Sequence, residues 1–215
     1  MSRSQHAVWE RIAASFDRNR TRTWPHVDAF LRGLPAGARV LDLMGGNGRH
    51  TATAVAAHLR TTWFDWSRPA ARIVAKRYGT VDVVCGDAAH LPFADGAFDA
   101  AICVAGLPSI PSAEDRASCL RELRRVLRPG GVAQWTVWSR HAPRFASMGR
   151  ADDELDVVLP WRGDGHDEQR TYHLYTPHGL RAALQEAGLV VASETQVAIV
   201  STDAPDNLVV VARRP

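Results

Sequence analysis

Lysine is nearly missing from this chain: of its 26 basic residues, all but Lys76 are arginine. A bias of that kind fits genome-wide codon usage as well as it fits a function, so the basic count alone names no partner. Cysteine is scarce as well. Cys85, Cys103 and Cys119 stand at spacings that make neither a disulfide framework nor a zinc site, so they read as reduced core thiols and no metal is expected. No apolar run approaches the roughly 20 residues that cross a bilayer. The opening MSRSQHAVWE has no apolar segment of the kind that directs export, so the expected location is cytoplasmic, with no membrane partner.

What is present is the balance of a folded globular protein, 46% hydrophobic and 23% charged over 215 residues, which suits one domain with a sizeable core. Net charge is only +3, but residues 1–39 carry seven arginines against Glu10, Asp17 and Asp28. A basic edge suits a polyanion such as RNA. Apolar positions at helical spacing (Val8, Ile12, Phe16, then Val27, Phe30, Leu31) predict two short helices broken at Trp24-Pro25. From Arg39 onward, strand-like runs at 39–43, 62–66, 81–84, 99–104, 131–138, 189–196 and 207–213 alternate with helical stretches near 48–58, 68–78, 113–127 and 177–187. Continuous apolar strands interleaved with helices predict an α/β fold with a parallel sheet covered on both faces. The last two strands, joined only through a turn at Asp203–Asp206, are expected to form an antiparallel hairpin. The single domain thus divides into N-terminal helices (1–38), a core (39–138), a polar Gly/Asp-rich insertion or lid (139–169) and a C-terminal helix and hairpin (170–215).

Four elements in the core carry chemistry. Val40-Leu-Asp-Leu-Met-Gly-Gly-Asn-Gly48 is a buried strand running into a glycine turn and then a helix, where the backbone must turn tightly and approach a ligand. Asp65 ends the second strand, at the place where a carboxylate holds a ribose diol. Gly86-Asp-Ala88 follows the third strand, and Phe98-Asp99 opens the fourth, ahead of Arg128-Pro-Gly-Gly131. The order resembles the class I methyltransferases, whose sheet is Rossmann-like and seven-stranded. The expected cofactor is S-adenosyl-L-methionine. The resemblance implies that Gly46 and Gly48 line its methionine end, Asp65 its ribose, and Asp87 with Ala88 its adenine. The full candidate cofactor set is Asp42, Met44, Gly45, Gly46, Gly48, Asp65, Trp66, Asp87, Ala88 and Val104. The G-x-G-x-x-G of nicotinamide-cofactor binding is absent. Asp42 has a second reading as a turn cap, and Asp99 reads as structural. One departure is Met44, where the family usually has glycine.

Further stretches resemble one narrower group, the tRNA wobble-uridine (carboxymethyluridine) methyltransferases. They are Trp9-Glu-Arg-Ile-Ala-Ala-Ser-Phe16, Thr21-Arg-Thr-Trp-Pro25, Asn47-Gly-Arg49, Arg124-Arg-Val-Leu-Arg-Pro-Gly-Gly131 leading to Val137-Trp138, Asp156-Val-Val-Leu-Pro-Trp161 and Arg170-Thr-Tyr-His-Leu-Tyr-Thr176. This resemblance implies methyl transfer to a carboxylate on a tRNA wobble uridine. A carboxylate, with a pKa near ~4, is ionised at neutral pH and needs no general base. It needs placement, for which arginine supplies a bidentate fork. Arg22, Arg49 and Arg170 are the candidates, with Tyr172 and His173 beside them, and for each a solvated or phosphate-contact role competes. Trp24 and Trp161 read either as base-stacking platforms or as core. A second departure lies after strand four, where Gly106-Leu-Pro-Ser109 replaces the Ile-His-His usual in the group and puts the acceptor in question. The resemblance also implies a small zinc-binding activator subunit that adds a strand near Val81–Phe93. Two other readings compete: a small-molecule methyltransferase, and a non-catalytic cofactor-binding or scaffold protein.

Overall fold

The computed structural model describes residues 3–150, 153–199 and 204–215, so Asp203 of the expected turn lies outside the described residues. Its elements run α1 (Arg3–Asn19), α2 (Pro25–Arg32), β1 (Arg39–Leu43), α3 (Thr51–Ala56), β2 (Arg60–Asp65), α4 (Arg68–Arg77), β3 (Asp82–Cys85), β4 (Phe98–Val104), α5 (Ala113–Val126), β5 (Leu127–Trp138), β6 (Leu155–Gly163), β7 (His166–Leu174), α6 (Pro177–Glu186), β8 (Val190–Val197) and β9 (Asn207–Arg213). Helix starts follow local chemistry. Trp24 precedes Pro25, whose fixed φ and missing N–H suit the first turn of α2. Ser67, Ser112 and Thr176 cap α4, α5 and α6 by accepting from the Ala70, Asp115 and Gly179 N–H groups.

Seven strands make one sheet in the order β3-β2-β1-β4-β5-β9-β8. β1 to β5 pair in parallel, each joined to the next by a chain that crosses a face. β9 inserts antiparallel between β5 and β8, as the short connection at 198–206 requires. Side chains alternate across β4: Ala101 and Cys103 face the larger core with α5 and α6, whereas Ala100 and Ile102 face the cluster built with α2 and α3. The expected doubly covered α/β sheet and its C-terminal hairpin are therefore present. Among the described residues no helix is long and apolar enough to span a membrane.

Two expectations need correction. Cys85 ends the edge strand β3 and is exposed, so only Cys103 and Cys119 are core thiols. The insertion 139–169 carries strands that were not expected there: all of β6 and the start of β7 lie in it, and the division at 169/170 cuts through β7. β6 and β7 form a two-stranded antiparallel ribbon closed at Asp164-Gly165, with Gly163 opposite His166. Both turn residues have positive φ, 53° and 79°, as a two-residue primed hairpin turn demands. The ribbon docks on α1: Arg11 pairs with Glu168, Arg18 with Asp164, and Trp161 Nε1 donates to Ser15 Oγ.

Candidate active site

The glycine turn after β1 sits over the strand ends. Met44 takes φ 57° and Gly46 φ 54°, so Met44 occupies the left-handed region that glycine enters without a Cβ clash. This is the physical content of the Met44 departure. Its side chain packs over Gly106, where an added Cβ would lie 2.6 Å from Met44 Cβ. The glycines divide by role. A Cβ on Gly45 would strike the Trp63 ring at 2.4 Å, and one on Gly48 would strike Val74 at 2.8 Å, so both are packing glycines. Gly46 has nothing nearer than Phe16 at 3.7 Å and opens on the cavity.

Asp65 ends β2 with its carboxylate accepting from Gly46 N–H at 3.0 Å and Ser67 N–H at 2.9 Å. Burial holds its pKa above the usual carboxylate range, and those backbone bonds work against the shift. Asp42 lies behind the turn, accepting from Thr51 Oγ1 at 2.6 Å, and burial pushes its pKa up to about 6. It does not reach the cavity. Asp87 closes its own turn by accepting from Ala89 N–H. Ala88, with Gly86, Met44 and Trp66, walls a narrow groove that opens beside Asp65. Val104 lines the main cavity with Met44, Gly46 and Trp66. A bare Gly46, a carboxylate at the strand end and an apolar groove beyond it fit the methionyl, ribosyl and adenine parts of S-adenosylmethionine.

The main cavity has a volume of about 670 Å³ and lies between the strand ends and a roof made by α1 and the β6–β7 ribbon. Five guanidinium groups line it: Arg20, Arg22, Arg49, Arg144 and Arg170. Arg170 and Tyr172 alternate onto the inner face of β7. Arg170 donates to Tyr172 Oη at 2.9 Å and to Pro160 O, stacks on Trp9, Trp161 and Tyr172, and keeps a buried Nε with no partner. Burial lowers the Arg170 pKa and raises that of Tyr172 to about 12, so the phenol stays neutral. Arg49 lies over Trp24 at 4.7 Å and donates to His50 Nε2, its pKa pushed down to about 10 by burial and by nearby Arg20. Arg144 rests on Trp138 and Phe145 at 4.5 and 4.6 Å. The loop that carries it is pinned from inside by Arg140, which is buried and donates to the carbonyls of Phe145, Met148, Arg150 and Asp153. Among the described residues one carboxylate, Asp65, lines the cavity, and no histidine does.

Three of the arginines anticipated from sequence thus meet in one cavity with Tyr172. His173 does not. One residue along a strand turns to the other face, and its ring binds Asp156 at 2.7 Å and Glu154 at 2.9 Å outside the cavity. Trp161 is core, packed with Val8 and Ile12, whereas Trp24 faces the cavity. The sequence reading missed Arg20, Arg144, Trp9 and Trp138. For Trp9 the i, i+4, i+7 spacing with Ala13 and Phe16 was an available signal; Arg144 had none. After β4, Ala105 (φ 56°), Gly106 and Ser109 face the cavity, while Leu107 and Pro108 turn into the core.

Residues 40–131 match the model of a methyltransferase domain family. The chain is 37% identical over 134 residues to the tRNA (carboxymethyluridine(34)-5-O)-methyltransferase of Macaca fascicularis, a match that covers 62% of the chain and 20% of that longer protein. The chain accordingly spans only about a fifth of that relative's length. A relative of the same name in Schizosaccharomyces pombe is 26% identical over 85% of this chain and 87% of its own. In structure, the putative methyltransferase solved in complex with the Haloferax volcanii Trm112 methyltransferase activator superposes with a TM-score of 0.74 at 18% identity, over 100% of this chain and 98% of that one. By its matched domain, its sheet and the cradle around Asp65, the chain carries an S-adenosylmethionine-dependent methyltransferase domain.

Proposed function

We propose that this methyltransferase esterifies the carboxylate of a 5-carboxymethyluridine at the tRNA wobble position. One observation carries the reading: among the described residues five guanidinium groups line the cavity, and neither a histidine nor an uncommitted carboxylate does. A site without a general base serves an acceptor that arrives as an anion, and a carboxylate does so at neutral pH. S-adenosylmethionine, when bound, supplies the electrophilic methyl group. The chain's part is to place the acceptor oxygen and to keep water out, which the α1 and ribbon roof and the aromatic walls serve. Arg170 and Arg144 would hold the acceptor's charge against Tyr172 and Trp138, and Arg22 and Arg49 line the same cavity with Trp24. The names of the relatives support a tRNA acceptor.

The same reading includes an activator subunit. β3 is the outer strand of its sheet wing, with one edge open for an added strand, and the activator-bound fold neighbour supports that mode. A free carboxylic acid is the second reading, favoured by the roofed cavity and by the small residues Ala105, Gly106 and Ser109 beside it. The test is transfer of labelled methyl to tRNA carrying carboxymethylated wobble uridine, with an activator subunit present. Base-labile label on the tRNA is the expected result. Label confined to small carboxylic acids would transfer the assignment to the second reading.

A further inference from the structure

Asn47 sits in the cofactor turn between Gly46 and Gly48, buried at 3% exposure. Its amide donates to Asp17 Oδ1 at 3.1 Å and to the Arg20 carbonyl at 2.8 Å. Its own backbone carbonyl accepts from Arg77 Nη1 at 3.0 Å. Both partners of the side chain are acceptors, so only the NH2 end can face them and the orientation of the amide is fixed by chemistry. Arg77 also pairs with Asp17 at 2.7 Å. The turn, α1 and α4 therefore meet at this one residue.

The bond to Arg20 reaches the site itself. Residues 20–24 have no regular secondary structure, and Arg20, Thr21, Arg22 and Trp24 all line the cavity. The far end of this segment is held by α2: the Trp24 carbonyl accepts from the Val27 and Asp28 N–H groups, and Thr23 Oγ1 donates to Asp28. Among the described residues, the bond from Asn47 is the one that ties the backbone of Arg20, Thr21 or Arg22 to another element. One residue earlier the same turn binds Asp65 through the Gly46 N–H and opens Gly46 on the cavity. We infer that Asn47 is a positioning residue, whose amide fastens the arginines at 20 and 22 to the turn that holds the cofactor. The inference rests on the reading of the cavity as the site of an anionic acceptor. The place calls for two N–H donors on a short stem; serine offers one donor and aspartate none. Without a general base, transfer depends on placement, and a shift of about 1 Å can cost about 100-fold.

The experiment compares N47A with D17A in the full chain, each checked for folding by circular dichroism. D17A removes the contacts of α1 with Asn47 and Arg77 but spares the bond to the Arg20 carbonyl, whereas N47A removes that bond. N47S, too short to reach Arg20, is a second variant in case N47A does not fold. Backbone ¹⁵N order parameters of residues 20–23, measured without ligand, should stay near about 0.85 in wild type and D17A and fall below about 0.6 in N47A and N47S. With tRNA carrying carboxymethylated wobble uridine, N47A should raise the acceptor KM about 10-fold, while its S-adenosylmethionine affinity and the acceptor KM of D17A stay within about threefold of wild type. Unchanged order parameters in the folded turn variants overturn the tether. A loosened segment with an unchanged acceptor KM overturns the positioning role, and so does a D17A loss equal to that of N47A, which would assign Asn47 to holding α1. Wild-type chain that fails to methylate the tRNA removes the tRNA reading instead, and the order parameters then decide the tether by themselves.

Discussion

Arg170→Lys is the most informative single change, because it keeps the charge and removes the fork. In the folded protein the two Nη groups are spent on Tyr172 Oη and Pro160 O, and Nε is buried without a partner. An ammonium group cannot brace itself on both acceptors and still present a second donor to an anion. A charge-assisted hydrogen bond to a buried group is worth about 1.5–3 kcal/mol. At 1.36 kcal/mol per decade, its loss lowers kcat/KM for the proposed tRNA acceptor about 10- to 150-fold. The same substitution leaves Pro160 O or Tyr172 Oη short of a donor. The expected stability cost of about 1 kcal/mol lowers Tm by about 2–4 °C in a protein of this size. Cofactor affinity should stay within about twofold, since Arg170 lies on the roof and not in the Asp65 cradle. Initial rates with saturating cofactor, titration of cofactor by calorimetry and a thermal melt separate the three effects. Wild-type kcat/KM in the folded variant would refute the placement of Arg170 at the acceptor. A parallel collapse of cofactor affinity would show that it holds the roof in place instead.

Two other expectations follow from the geometry. Burial raises the Asp42 pKa from 3.8 to about 6, so the folded state disfavours its charge. That burden is full above pH 6, declines as pH falls through the folded pKa, and is gone below the unfolded value. Asp42→Asn keeps an acceptor for Thr51 and should add on the order of 1–3 kcal/mol at pH 7.5 but nothing near pH 3.5; urea midpoints at the two pH values measure it, and a pH-independent difference would refute the cause. His173→Gln should leave methyl transfer within about twofold while costing about 1 kcal/mol, because the ring faces Asp156 and Glu154. A large loss of transfer with the fold intact would put His173 back in the site.

The core of this protein was readable because its signals are local. Turn glycines, the carboxylate closing β2, capping residues and continuous apolar strands each act within a few residues, so the α/β order and the cofactor end follow from the chain itself. The β6–β7 ribbon was readable in principle, since Asp164-Gly165 between alternating strands is a hairpin signal, but the polar composition around it reads as loop. Whether Gly45 and Gly48 are bare for packing and Gly46 for a ligand depends on where Trp63, Val74 and Phe16 arrive from other elements, which no local pattern contains. The acceptor end was decided by tertiary structure. Arg20, Arg49, Arg144 and Arg170 come from four separate stretches, and only the docking of α1 and the ribbon over the strand ends brings them to one cavity. Period-two alternation then settles Tyr172 against His173, neighbours in sequence on opposite faces of one strand.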